Sequence, residues 1–262
     1  MAGVGKAPAT LQAASEAVWE SVAPLLPGFS VEVVPEIDST NTELMRRARA
    51  GRLEPVLLVA ERQIQGRGRL GRQWDSVAQQ PGAALTFSLG LELAPSDWSG
   101  LSLAVGLGVA EALHADIQLK WPNDLWYQGR KLAGILIETA TVGAQRDAVI
   151  GVGINIAPRP ADGLRTPPAW LQELQPTWSA ADTLARVVRP AVARLLDCCT
   201  HGFGGMREAY HARDYFYGKD VVCTDGLAGQ ARGVDAKGAL LVLSPQGLQK
   251  ISSAEVSVRA QS

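Results

Sequence analysis

Cysteine is scarce in this sequence. Its 262 residues hold three, Cys198, Cys199 and Cys223, an odd set with two adjacent members that cannot close an unstrained bridge. A disulfide scaffold is thereby excluded, and a reducing, cytoplasmic setting is the expectation. Histidine is as rare, and His114, His201 and His211 lie too far apart for ligand spacing, so no structural metal is expected. Charge of one sign is missing too: 25 basic residues face 26 acidic ones, net −1, which gives no reason to expect nucleic acid or an anionic membrane as the main partner. Long apolar runs are absent, the stretch 101–113 being broken by Ser102, Gly106, Gly108 and Glu111 well short of the ~20 residues that a membrane helix needs. The first 25 residues carry one basic side chain, Lys6, and no continuous apolar segment, so no export signal is read. There is no fixed-period repeat and no low-complexity tract. What is present is a 47% hydrophobic composition, enough to bury one sizeable core and to build a small second domain.

Apolar positions Leu11, Ala14, Val18, Val22 and Leu25 predict an amphipathic helix over 11–26, closed by Pro27-Gly28. A short strand is expected at 31–35, then a helix to about residue 50 in which Thr40 and Glu43 have capping-box spacing. Residues 55–60 read as a buried strand and 61–76, with no apolar period, as a loop. Strands follow at 83–93, 117–121, 130–139 and 147–156, with a helix over 98–114; Pro122 ends the strand before it. The Pro-rich segment 157–181 is irregular, and helices over 181–199 and 203–216 complete a larger domain of residues 1–216. From 217 to 262 the texture changes to short alternating strands at 219–224, 229–234, 239–244, 249–251 and 256–259, separated by Gly-containing turns. Five strands in about 45 residues predict a small SH3-like barrel; the alternative is that they extend the main sheet.

Four segments carry polar chemistry. In Gly66-Arg67-Gly68-Arg69-Leu70-Gly71-Arg72 three glycines alternate with three arginines, so a tightly turning backbone can present N–H groups and forked guanidinium donors to an anion. Ordering it is entropically costly, which predicts a loop that closes on its ligand; a solvated basic loop or an RNA contact is the other reading. In Lys120-Trp121-Pro122-Asn123-Asp124 the proline holds Asn123 and Asp124 at a rigid corner, and Lys131 opens the returning strand of a hairpin. Asp124 and Lys131 are thus expected neighbours, able to orient an amine and to neutralise an oxyanion, unless they are ordinary hairpin charges. In Gly151-Val152-Gly153-Ile154-Asn155 two strand glycines imply close approach by another group, and Asn155 needs a partner in apolar surroundings; a core strand with a turn-opening Asn is equally compatible. Ser39 and Thr40 read as helix caps that could also serve a polar head group.

Together, Asp38-Ser39-Thr40-Asn41, the Gly66 to Arg72 loop, Lys120-Trp121-Pro122-Asn123-Asp124, Arg130-Lys131-Leu132-Ala133-Gly134-Ile135 and Gly151-Val152-Gly153-Ile154-Asn155 resemble the biotin protein ligases in identity and order, over roughly residues 30–259. The resemblance implies an α+β fold: a mixed sheet flanked by helices, as in class II synthetase-like biotin and lipoate ligases, followed by a small SH3-like C-terminal domain. It implies that Ser39, Thr40, Gln63, Gly66, Arg67, Lys131 and Gly134 contact biotin, and that Arg67, Arg69, Trp74, Asn123, Lys131 and Asn155 contact ATP or the adenylate. Lys131, Asp124 and Arg67 are the implied catalytic residues. Leu70 departs from the basic residue often found at its position.

The implied activity activates biotin with Mg²⁺-ATP as biotinyl-5'-AMP and transfers it to a lysine of the biotin carboxyl carrier protein of acetyl-CoA carboxylase or a related carboxylase. Lipoate ligases share the fold and are the enzyme alternative; a non-catalytic biotin-binding module is another. Some biotin ligases repress transcription through an N-terminal helix-turn-helix domain. The residues ahead of Asp38 are too few for one, so no specific DNA binding is expected. No membrane partner is expected, and exposed sheet edges allow a homodimer.

Overall fold

The computed structural model describes residues 10–72, 74, 82–95, 97–158, 167–252 and 258–260. The chain divides into two compact units, one of residues 1–93 and 136–189, the other of residues 94–135 and 190–262.

The first unit is a sheet with helices on it. Strands β1 (Ser30–Ile37), β2 (Val56–Gln63), β3 (Ala84–Glu92), β6 (Arg130–Val142, entering from the second unit) and β7 (Gln145–Asn155) lie in the order β1-β2-β3-β7-β6. β1 and β2 are parallel, while β2–β3 and β3–β7 are antiparallel, so the sheet is mixed. Helix α1 (Leu11–Val22) starts at Thr10, whose side chain accepts from Ala13 N–H, and stops before the turns leading to Pro27. Helix α2 (Thr40–Arg49) is capped by Ser39 and buries Leu44, Met45 and Ala48 with Leu53, Val56, Leu58 and Val149. Each of the Leu, Met and Val side chains among them contributes roughly 1.5–3 kcal/mol by leaving water. The loop expected from Glu61 starts later. β2 continues through Glu61-Arg62-Gln63 because its parallel partner β1 still offers backbone groups as far as Ile37↔Gln63, and the exposed charges are matched by Arg62 donating to Glu36. Residue 73 and residues 75–76 of that expected loop, and 159–166 of the Pro-rich segment, lie outside the described residues.

In the second unit β6 is followed in space by β5 (Asp124–Tyr127) and β4 (Gln118–Lys120), an antiparallel meander. The β5–β6 hairpin closes through Gln128 and Gly129, both left-handed (φ 48° and 73°), the backbone that a two-residue turn between twisted strands requires. Helix α3 (Leu101–Leu113) is buried almost all round. Gly108 admits helix α4 (Ala180–His201), since a Cβ there would stand 2.6 Å from the Pro190 carbonyl oxygen.

The helix expected over 203–216 is instead a 3-10 turn (Gly204–Met206) and the five-residue α5 (Arg207–His211). The backbone leaves the helix because β4 captures it: Leu119 N–H donates to Arg213 O and Tyr215 N–H to Leu119 O. Asp214 then turns the chain by accepting from Phe216 N–H at 2.9 Å, and burial pushes its carboxyl up to about 6. Beyond it, β8 (Asp220–Cys223), β9 (Ala228–Val234), β10 (Leu240–Ser244), β11 (Gly247–Ile251) and β12 (Val258–Ala260) form an antiparallel five-stranded sheet ordered β11-β10-β9-β8-β12, consistent with the SH3-like expectation. His211 accepts from Val234 N–H through Nε2 at 2.9 Å, and the buried Trp121 donates its indole N–H to Gly238 O at 3.0 Å.

Candidate active site

Within the first unit, the α2 N-terminus, the end of β2 and the middle of β3 bring polar side chains into a core that excludes water. Ser39, Thr40, Asn41, Gln63 and Ser88 are each no more than 5% exposed. Buried groups of this kind must satisfy one another, and they do. Gln63 Oε1 accepts from Thr40 N–H at 2.7 Å and lies 3.0 Å from Thr40 Oγ1. Thr40 Oγ1 lies 2.7 Å from Ser88 Oγ, which donates to Asn41 Oδ1 at 2.7 Å. Asn41 Nδ2 donates to Glu138 Oε2 at 3.0 Å. The same carboxylate receives Arg67, with Nη1 at 3.2 Å from Oε2 and Nη2 at 3.1 Å from Oε1.

The Gly/Arg loop takes the form that its residues impose. Gly68 N–H donates to Arg72 O across a 3-10 turn (Arg69–Gly71), with Leu70 and Gly71 both left-handed (φ 56° and 70°). Leu70 is 57% exposed. Trp74 N–H donates to Gly66 O at 2.9 Å, and a Cβ on Gly66 would stand 2.3 Å from Trp74 O. This glycine is therefore required by the return of the loop.

The two glycines of β7 have equally specific neighbours, both of them side chains of the protein itself. A Cβ at Gly151 would fall 2.1 Å from Asn41 Oδ1, and one at Gly153 would fall 2.5 Å from Trp74 Cε2. Asn155, 1% exposed, donates through Nδ2 to Ala169 O at 3.0 Å, which meets its expected need for a partner.

Of the residues singled out from sequence, Ser39, Thr40, Gln63, Gly66, Arg67, Arg69, Trp74 and Asn155 belong to this unit; Asn123, Asp124, Lys131 and Gly134 belong to the other. There Asp124 opens β5, paired with Lys120 on one side and Gly134 on the other. Lys131 Nζ lies 2.7 Å from Asp124 Oδ1, so the expected neighbours do meet. Asn123 is sewn to β6 twice: its side chain donates to Ile135 O at 2.6 Å, and its carbonyl accepts from Ile135 N–H at 2.9 Å. Lys120 Nζ sits 3.6 Å from the Trp126 ring centroid, a cation–π contact that steers it along the meander.

Sequence reasoning passed over Ser88, Asn41 and Glu138 as participants. A signal existed for one of them: Thr86 and Ser88 alternate with Leu85, Phe87 and Leu89 in a strand buried on both faces, and polar residues sealed from water need a reason to be there.

A mixed sheet, a buried polar cluster at a helix N-terminus and a guanidinium on a glycine-rich loop are the elements that an enzyme of small anionic acids needs. Residues 33–155 match the Biotin/lipoate A/B protein ligase family, and residues 222–259 match the Biotin protein ligase C terminal domain. The chain is 37% identical to the bifunctional ligase/repressor BirA of Escherichia coli over 90% of its own length and 76% of that protein's. It is 35% identical to the biotin--[acetyl-CoA-carboxylase] ligase of Paracoccus denitrificans over 84% and 96% respectively. The biotin protein ligase of Aquifex aeolicus, solved with biotin and ATP, superposes with a TM-score of 0.75 at 29% identity, covering 88% of this chain and 99% of that one. The chain belongs to the biotin protein ligase family and is an enzyme of biotin ligation. Among the described residues no helix is long and apolar enough to cross a membrane.

Proposed function

We propose that this enzyme joins biotin to a lysine of a biotin carboxyl carrier domain, that of acetyl-CoA carboxylase or a related carboxylase, in two steps through biotinyl-5'-AMP. The observation that carries the reading is the Lys131–Asp124 pair at 2.7 Å, an ammonium and a carboxylate held together across the β5–β6 hairpin. In the first step a biotin carboxylate oxygen attacks the α-phosphorus of ATP; the new O–P bond forms as the bond to the pyrophosphate oxygen breaks. Both reactants are anions, so the chain's part is electrostatic. Lys131 and Arg67 draw charge from the carboxylate and phosphate oxygens, and Mg²⁺ enters with ATP as part of the substrate. In the second step the acceptor lysine nitrogen attacks the acyl carbon, the amide forms and AMP leaves. Asp124 orients the amine and receives its proton.

Ser39, Thr40, Gln63, Gly66 and Gly134 are assigned to biotin, with Arg67 and Lys131 at its carboxylate end; Arg69, Trp74, Asn123 and Asn155 are assigned to the nucleotide. The support for Trp74 is its seat over Gly153, where the loop returns. The test is biotin-dependent exchange between ATP and pyrophosphate, followed by transfer of labelled biotin or labelled lipoate to a carrier domain. Exchange and transfer with biotin alone are expected; preference for lipoate, or binding without exchange, overturns the proposal.

A further inference from the structure

Resting on the assignment of Thr40 and Arg67 to biotin, we propose that Glu138 is the positioning residue for both, through two arms that share its carboxylate. One arm is direct. Arg67 meets Glu138 end-on with Nη1 and Nη2 at 3.2 and 3.1 Å, which occupies two of the five guanidinium N–H groups and leaves the others for a ligand. The arginine is 47% exposed and stands on a loop of glycines, so this anchor limits how far its fork can wander.

The other arm fixes polarity. Because Glu138 is an acceptor, Asn41 must turn its Nδ2 toward it at 3.0 Å and its Oδ1 toward Ser88. The Ser88 hydroxyl proton is thereby committed to Asn41 at 2.7 Å, and the Ser88 oxygen is left to accept from Thr40, also at 2.7 Å. Gln63 Oε1 accepts from the Thr40 backbone N–H and is a second inward acceptor, 3.0 Å away, for the Thr40 hydroxyl. With both Ser88 and Gln63 as inward acceptors for the one Thr40 hydroxyl proton, the Thr40 oxygen is left to act as an acceptor for a polar N–H of the ligand. A carboxylate that pins the cation and sets this chain of donors makes the two ends of the biotin contact depend on one side chain. Gly151 belongs to the device, since any side chain there would strike the Asn41 amide oxygen.

The test is a mutant cycle read by biotin Kd without ATP and by the KM for ATP. Glu138→Gln keeps the shape, carries no charge and can reverse the polarity of the Asn41–Ser88–Thr40 chain. It is expected to weaken biotin about fivefold while leaving the KM for ATP within about twofold and the melting temperature nearly unchanged. Combined with Arg67→Ala, its further effect should be smaller than when made alone, because one arm is already gone. Ser88→Ala cuts only the other arm and should weaken biotin while Arg67 stays anchored. Unchanged biotin affinity in Glu138→Gln, or full additivity with Arg67→Ala, overturns the proposal. If Arg67→Ala itself leaves biotin affinity unchanged, the assignment of that arginine fails instead, and a loss in both Glu138→Gln and Ser88→Ala still supports the Thr40 arm.

Discussion

Gly153→Ala tests the proposed assignment of Trp74 to the nucleotide by a single methyl group. The added Cβ would stand 2.5 Å from Trp74 Cε2, 2.7 Å from Cζ2 and 2.9 Å from Nε1, directly beneath the indole. To regain ordinary contact the ring must move by about 1 Å. The Trp74 backbone cannot follow, because its N–H is bonded to Gly66 O at 2.9 Å and its carbonyl abuts Gly66, so the ring must tilt about its side-chain torsions. Overpacking of this kind costs roughly 1–3 kcal/mol where nothing yields, and a 1 Å displacement of a positioning group costs up to about a hundredfold in rate. The expected result is a KM for ATP raised by about tenfold or more in pyrophosphate exchange, with biotin Kd, measured calorimetrically without nucleotide, within about twofold of the parent. Gly151→Ala, two residues earlier on the same strand face, strikes Asn41 instead and should give the converse: weaker biotin, near-normal ATP. If Gly153→Ala folds and keeps its KM for ATP, or if both variants impair both ligands alike, the division of the site between Asn41 and Trp74 is refuted.

Lys131→Ala should lose about 10²–10³-fold of exchange activity while costing under about 1 kcal/mol of stability, since its ion pair is partly solvent-exposed; near-normal exchange removes it from the catalytic group. Burial raises the Asp214 carboxyl from 3.8 to about 6, so the folded chain holds that proton more tightly than the unfolded one. Its contribution is complete below about pH 4 and lost as pH rises through about 6, roughly 3 kcal/mol in all. Asp214→Asn should therefore flatten the pH dependence of urea unfolding between pH 4 and 6 and raise stability at pH 7.5; an unchanged slope contradicts this. His211 is displaced the other way, its pKa lowered first by burial against a smaller opposing effect of Val234, so its contribution is present above about 6.5 and lost as pH falls below it. His211→Gln should remove that loss on the acid side, and the two opposing slopes should each emerge when the other residue is replaced.

Strands and helices with a clear apolar period were legible in the sequence. So was the neighbourhood of Asp124 and Lys131, because a proline corner and a two-residue turn leave little freedom between them. The segment 203–216 was not, since its helical character yields only when the distant Leu119 takes its backbone groups, and no local pattern announces a partner so far away. The glycines of β7 announced that something comes close, but their neighbours, Asn41 and a tryptophan beyond the Gly/Arg loop, are fixed by tertiary packing alone. Glu138 was hidden for the same reason: on paper it is one more charge near the end of a strand, and its two arms exist only once Asn41 and Arg67 have converged on it.

The bond from the Trp121 indole to Gly238 reaches 117 residues down the chain, from the corner that carries Asn123 and Asp124 into the turn before β10. A protein shortened ahead of β8 would strand a buried indole N–H beside that corner and admit solvent where we propose that the acceptor amine is aligned. Tags and fusions that preserve the last strands should be harmless, whereas trimming the chain to its first 216 residues should blunt the transfer of biotin even though every residue assigned to the vitamin and the nucleotide would still be present.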